Sequence, residues 1–249
     1  MGCFMKRIFV ALCCALPGAA TRYHLLTYAT PSHLAAAHRL KQSALDVGGF
    51  HEAHVFEPDV LDSEYRRRNE AILQQARGAG FWIYKPYVIM RYMHGRAALE
   101  DVVCYMDALY EFQKNFSGLV ETWLSSSPVP IALTVNKPDE GTFYEKAWSK
   151  NDAFVIMGAD VAWGDTLQAW CGFVCFRNSF PALQYIAEWL TYTQDARIVT
   201  DSLSQFGTER DSFRENRHDQ TVCSLLAKKY NITMQSFPAT FVYNHHLHG

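Results

Sequence analysis

The sequence of 249 residues lacks an excess of charge of either sign. Its 23 lysines and arginines nearly balance its 25 aspartates and glutamates, which gives a formal net charge of −2 at pH 7. Such a chain has no broad cationic field that would steer a polyanion, and it contains neither a zinc-knuckle nor an RNP-type aromatic motif. Nucleic-acid binding is therefore not expected, and a small or sugar-like ligand fits the composition better.

Motifs of several other function classes are also missing. There is no Gly-x-Ser-x-Gly elbow and no His-Glu-x-x-His helix, which argues against a secreted hydrolase. No Cys-x-x-Cys spacing accompanies the 7 cysteines, so a zinc site is not expected. Internal repeats, low-complexity tracts and flexible linkers are absent too. With 49% hydrophobic residues the chain can bury a sizeable core, and one domain is the simplest interpretation.

No apolar run reaches the roughly 20 residues that span a bilayer comfortably. A shorter run, IFVALCCALPGAA, follows Lys6 and Arg7. A charged start, a short apolar middle and a small-residue exit are typical of a secretory signal peptide. We therefore predict a signal peptide or short membrane anchor over residues 1–20, a single folded domain over 21–249, and a location in the secretory pathway or outside the cell. If the run is instead a first core strand, the protein is cytoplasmic.

Loss of the leader leaves four cysteines, at positions 104, 171, 175 and 223. Buried thiols and one or two disulfides are both compatible with this number. Cys171 and Cys175, if they share one strand, point to the same face but lie too far apart to bond each other.

Strand-like and helix-like segments alternate along the chain. Apolar, β-rich runs predict strands at 23–30, 50–58, 102–106, 128–135, 153–159 and 170–179. Helical spacing and terminal signals predict helices at 32–45, 63–80, 85–95, 181–195 and 218–230. This order predicts an α/β domain with a mostly parallel central sheet and helices on both faces. Ligands bind such sheets beyond the carboxyl ends of the strands, where Thr27, Tyr28 and Asp107 are expected.

Four stretches of the chain carry a resemblance to a known group of enzymes: LLTYAT, GFWIYKPY, VVCYMDALYEF and RHDQTVCSLLAKKY. In order and spacing they resemble the nucleotide-sugar transferases of the GT-A fold. The similar group has an aromatic-Trp-x-x-Lys-Pro stretch, a strand ending in Tyr-x-Asp-Ala and a late His-Asp-Gln helix. The resemblance covers residues 23 to 235. It implies a single GT-A-like domain that moves a sugar from a UDP- or GDP-sugar donor to a glycan or other hydroxyl acceptor.

The resemblance also implies a divalent cation. In this fold an Asp-x-Asp pair after a central strand holds Mn²⁺ or Mg²⁺, which bridges the two phosphates of the donor. Asp107 matches the first acid, but Leu109 stands at the second position. A metal site would then combine Asp107 with a histidine of the tail, such as His245. The alternative is a non-catalytic relative that binds a sugar or nucleotide without metal chemistry.

The same resemblance assigns roles to further side chains. Lys85, at a predicted helix start, would meet phosphate together with backbone donors. The ring of Tyr28 would stack on the base. The full donor-binding set is Thr27, Tyr28, Lys85, Asp107, Ala108, Gln168 and Gln220. The candidates for the catalytic base or a sugar ligand are Asp219, His218 and, as second choice, Asp160. Asp219 could instead only cap its helix, and both inversion and retention stay open.

Overall fold

The computed structural model describes residues 20–135, 143–237, 240 and 242–244. Nearly all of the predicted leader and the tail histidines, including His245, lie outside these residues. Among the helices that the structure describes, none is both long and apolar enough to cross a bilayer.

A six-stranded sheet forms the centre of the molecule, with the strand order β2-β1-β3-β6-β5-β7. Its strands are β1 (Tyr23–Tyr28), β2 (Glu52–Phe56), β3 (Val102–Met106), β5 (Ile131–Val135), β6 (Ala169–Arg177) and β7 (Gln235–Ser236). β6 runs antiparallel to β3 and β5, and the other neighbouring pairs are parallel. The predicted mostly parallel sheet is confirmed. Two short antiparallel strands, β4 (Tyr110–Phe112) and β8 (Val242–Asn244), form a separate ribbon.

Helices cover both faces of the sheet. They are α1 (Leu34–Ser43), α2 (Ser63–Arg68), α3 (Glu70–Leu73), α4 (Tyr84–Gly95), α5 (Ser117–Ser126), α6 (Glu145–Trp148), α7 (Asn151–Ile156), α8 (Phe180–Tyr192), α9 (Ala196–Val199) and α10 (Asp219–Lys229). All residues of β3 are buried, and they alternate between two cores. Val103 and Tyr105 pack with α4, α8 and α10, whereas Cys104 and Met106 pack with α1 and α5. A strand covered on both faces is a continuous apolar run, which is how β3 was predicted.

The strand predicted at 153–159 is wrong, because residues 153–156 belong to the helix α7 and the chain turns after it. Short apolar runs do not distinguish a buried strand from one face of a helix. Here Ala153 and Phe154 are buried while Val155 is 50% exposed, so only one side meets the core. Gly158 ends the segment with a φ of +60°, a left-handed conformation typical of helix C-termini.

The helix predicted at 63–80 is also not continuous. Asp62, rather than Ser63, caps α2 by accepting a hydrogen bond of 2.7 Å from the Tyr65 amide. Asn69 leaves the helical conformation at φ −111° and ψ 17°, and its side chain bonds the Tyr65 carbonyl at 2.9 Å. Asparagine competes for backbone groups in this way, which is why it interrupts helices. After α3 the chain enters a turn of opposite hand at Gly78–Trp82.

One disulfide crosses the sheet. Cys104 of β3 and Cys175 of β6 are directly opposite in the antiparallel register and are bonded. Cys171 and Cys223 are buried thiols. Of the alternatives that the sequence left open, the structure therefore has one disulfide and two thiols among the described cysteines.

Candidate active site

A cavity of about 510 Å³ opens beside the carboxyl ends of β1 and β3. Five of its lining residues are aromatic: Tyr28, Trp82, Tyr84, Tyr110 and Trp170. Asp107 and Ala108, which follow β3, also line it, and Asp107 is the one acid among the described lining residues. The carboxylate predicted at the end of the central strand therefore faces a cavity, as expected for this class of sheet.

Asp107 is held in place by a buried lysine. Its Oδ1 atom lies 3.1 Å from Nζ of Lys85, and its amide donates a hydrogen bond of 2.9 Å to the Gly172 carbonyl of β6. The Asp107 side chain is 33% exposed, whereas that of Lys85 is only 4% exposed. Lys85 lies behind the wall of the cavity, and Asp107 forms the wall.

Lys85 is shared between several acceptors. Its Nζ atom donates to the Cys171 carbonyl at 3.1 Å and lies 3.7 Å from Oδ2 of Asp219. Burial acts to lower the pKa of Lys85, but the Asp107 and Asp219 carboxylates outweigh it and raise the pKa above its usual value. The ammonium therefore stays charged inside the protein.

Asp219 begins α10 beneath this lysine. Its carboxylate is 3% exposed, and its Oδ2 atom has no hydrogen-bond partner among the described residues. Burial raises the pKa of Asp219 to about 7, although Lys85 opposes the change. Lys85 lies in the first turn of α4, at the helix start predicted from Lys-Pro. Asp219 lies at the start of the predicted late helix. Two elements far apart in sequence thus bring both side chains to the end of β3.

His218 precedes Asp219 and is buried as well. Its φ of +56° is rare for a residue with a side chain. Its Nδ1 atom bonds the Val199 carbonyl at 2.7 Å, and its ring stacks on Phe81 with centroids 4.4 Å apart. Burial lowers the pKa of His218, so the ring is neutral at pH 7. Neither His218 nor Asp219 lines the cavity in this structure.

The other predicted residues are placed differently. Gln168 is buried and accepts a hydrogen bond of 2.7 Å from Gln220, whose Oε1 atom accepts from the Cys171 amide at 3.1 Å. This pair ties α10 to β6 behind the cavity. Asp160 lies on the surface and caps a 3₁₀ turn by accepting from the Ala162 amide at 2.9 Å. Thr27 is buried and is not among the residues that line the cavity.

Tyr28 lines the cavity but already has a stacking partner. Its ring lies parallel to that of Tyr84 with centroids 3.6 Å apart, and only 6% of the residue is exposed. Burial raises its pKa to about 12. Tyr84, which the sequence analysis did not select, therefore occupies one face of the ring expected to hold a base.

A second feature that the sequence analysis did not predict is the turn Gly78–Trp82. All five residues have positive φ angles, between 50° and 91°. Left-handed backbone costs about 1–2 kcal/mol for each residue other than glycine, and three of these residues are not glycine. Gly78, Ala79 and Trp82 line the cavity. The Gly-x-Gly spacing in RGAGFW is the sequence feature that could have indicated this turn.

The described residues do not by themselves fit a divalent cation. Asp107 is paired with an ammonium, and Leu109 lines the cavity where a second acid would be needed. Hard cations prefer six or more oxygen ligands, of which a protein site supplies several. Within the described ranges, no group of three or more histidine, cysteine, aspartate or glutamate side chains is arranged so that it could hold a metal ion. The predicted role of His245 stays a prediction, because it lies outside them.

Comparisons with known proteins agree with this architecture at the level of the fold. No family model matches the chain, and no curated protein matches it. Among solved structures, that of WbbM, a bifunctional glycosyltransferase in its apo form, is 12% identical, covers 90% of this chain and 40% of its own, and has a TM-score of 0.52. Apo mouse xyloside xylosyltransferase 1 is 13% identical, covers 89% of this chain and 86% of its own, and has a TM-score of 0.49.

The chain spans about two fifths of the WbbM chain that it matches. At this identity the likeness shows the fold alone. The protein thus has a glycosyltransferase fold with a mixed α/β architecture in a single domain, as the sequence motifs implied.

Proposed function

We propose that this protein is a glycosyltransferase that moves a sugar from a UDP- or GDP-sugar to a hydroxyl group of a glycan or another acceptor. The observation that carries the proposal is the position of Asp107. It ends the central strand of a glycosyltransferase fold, faces an aromatic-lined cavity and has a buried ammonium behind it. Aromatic walls with a few convergent polar groups are typical of ligand sites.

Asp107 and Lys85 have complementary parts in this proposal. The free oxygen of Asp107 accepts hydrogen bonds from hydroxyl groups of the ligand. Lys85 orients that carboxylate and neutralises its charge from behind the cavity wall. The pair carries no net charge, so the wall does not repel a diphosphate as a lone carboxylate would.

Asp219 acts through Lys85. A pair of ionised carboxylates around one ammonium would leave the site with a net negative charge, which repels a diphosphate. Because its pKa is raised to about 7, Asp219 retains its proton over part of the neutral range and leaves Lys85 and Asp107 as a balanced pair. We therefore assign Asp219 a positioning role, and we assign His218, which packs under the turn Gly78–Trp82, the same kind of role.

The disulfide supports the predicted compartment. Disulfide bonds such as Cys104–Cys175 form and persist in oxidising environments and are rare in the cytosol. We propose that the domain works in the lumen of the secretory pathway or outside the cell, as the leader-like N-terminus predicts.

A second candidate function is supported by Leu109. An aliphatic side chain lines the cavity at the position of the second acid, which favours a sugar- or nucleotide-binding protein that has lost transfer activity. Turnover distinguishes it from an enzyme, because a binder retains the ligand and releases no nucleoside diphosphate.

The test measures thermal shift and nucleoside-diphosphate release with UDP- and GDP-sugars and an acceptor panel. We compare the wild type with Asp107→Asn and with Asp160→Asn, a surface control of the same chemistry. We expect Asp107→Asn to lower turnover by about 100-fold or more, the usual loss for a preorganised polar group, and Asp160→Asn to leave it unchanged. Binding without turnover in the wild type supports the second candidate, and the absence of any nucleotide shift overturns the transferase proposal and leaves only a sugar-binding protein.

A further inference from the structure

The turn Gly78–Trp82 has a defined conformation that backbone hydrogen bonds hold in place. The Phe81 amide donates to the Arg77 carbonyl at 2.8 Å, and the Trp82 amide donates to the Gly78 carbonyl at 3.0 Å. These are the bonds of a helical turn, made here with left-handed backbone. Strain of this kind persists only where the surroundings enforce it, and it is concentrated at functional sites.

Its two glycines serve the placement of Trp82. A Cβ atom on Gly80 would lie 2.8 Å from Cα of Leu73, so only glycine lets the turn approach α3. A Cβ atom on Gly78 would lie 2.3 Å from Cδ2 of Trp82, so the indole packs directly over the Gly78 backbone. Phe81 is buried against His218 and anchors the other side of the turn.

Trp82 differs from the other aromatic residues of the cavity. Tyr28 and Tyr84 stack on each other at 3.6 Å, and Tyr110 and Trp170 meet edge to face at 5.3 Å. Trp82 is partly exposed in the cavity, and its ring stacks on that of His218, which lies behind the wall, with centroids 5.7 Å apart. Of the five aromatic residues that line the cavity, Trp82 is therefore the one whose ring does not contact the ring of another of the five.

The turn is also joined to the charged part of the site. The Lys85 amide donates to the Trp82 carbonyl at 3.0 Å, so the indole and the ammonium belong to one rigid stretch at the start of α4. A nucleotide has an aromatic base at one end and a diphosphate at the other. The stretch 82–85 contributes an indole to the cavity wall and an ammonium directly behind that wall.

We propose that the left-handed turn Gly78–Trp82 is the base-binding element of this protein, with the indole of Trp82, rather than the ring of Tyr28, as the surface on which the nucleobase stacks. The proposal rests on the proposed function, because it names how that donor would be held. Stacking on an aromatic side chain tolerates any base, since every base has a π face.

Tryptophan fluorescence of the full chain provides the test. UDP, GDP, uridine and inorganic pyrophosphate are titrated separately, each with Mn²⁺ and with EDTA. We expect quenching by the two nucleotides and by uridine, and none by pyrophosphate, because only the base contacts the indole. The quenching disappears in Trp82→Phe and persists in Trp163→Phe, a partly buried tryptophan outside the cavity.

Affinity provides an independent measure. Isothermal titration calorimetry with UDP and GDP should give a dissociation constant at least about tenfold larger for Trp82→Ala than for the wild type, and an unchanged one for Trp163→Ala, which lies outside the cavity. Gly78→Ala keeps the indole but displaces it, so it should weaken binding as Trp82→Ala does. Circular dichroism confirms that each variant is folded.

The outcomes separate this inference from the proposed function. If the wild type binds nucleotide and Trp82→Ala binds it equally well, the inference is overturned while the proposed function stands. If Trp82→Phe retains the quenching, the base contacts another tryptophan and the inference is likewise overturned. If the wild type binds none of the probes in either buffer, the proposed function fails and the inference fails with it.

Discussion

Nζ of Lys85 and Oδ1 of Asp107 lie 3.1 Å apart, and the pair joins a buried ammonium to a carboxylate on the cavity wall. The two residues lie in different parts of the chain, because Lys85 is in the first turn of α4 and Asp107 follows β3. The pair therefore exists only in the folded protein. Its consequences for stability, pH dependence and ligand binding can be measured.

Removal of the lysine should destabilise the protein strongly. Above pH 7, where Asp219 is ionised, Lys85→Met leaves this carboxylate buried without a counter-charge, and breaking a buried ion pair in this way costs about 3–5 kcal/mol. Urea denaturation measures the loss. Lys146→Met is the control, because Lys146 pairs with Asp165 on the surface at 2.7 Å and such pairs contribute about 0–1 kcal/mol. Similar losses in the two variants would contradict the assignment of Lys85 to the buried charge cluster.

Asp219 should make stability fall as the pH rises. In the unfolded chain its carboxyl loses its proton near pH 3.8, whereas in the folded protein the pKa is about 7. Between these values the folded state binds more protons, so this group lowers the free energy of unfolding as pH increases, by up to about 1.4 kcal/mol per unit. Urea unfolding of the wild type and Asp219→Asn between pH 4.5 and 7.5 measures it.

The difference between those two curves isolates Asp219 from other titrating groups. We expect the stability of Asp219→Asn relative to the wild type to increase with pH across this window. Parallel curves would mean that Asp219 ionises at its ordinary pKa.

Chelation should not weaken nucleotide binding. Asp107 is neutralised by Lys85, and the side chain of Leu109 supplies no oxygen, so the described wall has no strong attraction for Mn²⁺ or Mg²⁺. Calorimetric titration with UDP and GDP should give dissociation constants within about twofold in EDTA and in Mn²⁺, since a site without bound cation gains nothing from it by linkage. Tight binding that requires Mn²⁺ would instead support the cation site predicted from Asp107 and His245.

The disulfide should be present in protein from an oxidising compartment and should add stability. Peptide mapping without reduction should recover Cys104 linked to Cys175, with Cys171 and Cys223 labelled as thiols after unfolding. The double substitution of Cys104 and Cys175 by alanine should cost about 2–5 kcal/mol in urea denaturation, which is typical for a native disulfide. Recovery of all four as free thiols would contradict both the bond and the proposed compartment.

Much of the fold was predictable because its strongest elements carry strong local signals. The run Val102–Met106 is apolar throughout and ends on a charge, and Pro86 and Pro181 mark the first turns of α4 and α8. These patterns reflect burial and backbone preference, which act over a few residues. The helix α7 was mistaken for a strand because its six residues are too few to express a period.

The candidate site was predictable only in part. Asp107 was found from the strand that precedes it, and Lys85 and Asp219 from helix starts within recognisable motifs. Gln220 occurs in one of the same motifs, and Gln168 and Asp160 were chosen from the segment between them, but the two glutamines lie behind the wall and Asp160 lies on the surface. Proximity in a motif does not determine whether a side chain faces a cavity, since the neighbouring elements decide that.

By itself, the sequence determined the alternation of strands and helices, the carboxylate at the end of β3 and the motifs that imply a sugar-nucleotide ligand. Tertiary structure alone decided that Lys85 pairs with Asp107, that Tyr84 covers one face of Tyr28, that Cys104 bonds Cys175 and that the chain turns left-handed at Gly78–Trp82. The first group depends on local preferences, which are written into short stretches. The second depends on contacts between distant segments, whose charge, packing and strain have values only once the chain has folded.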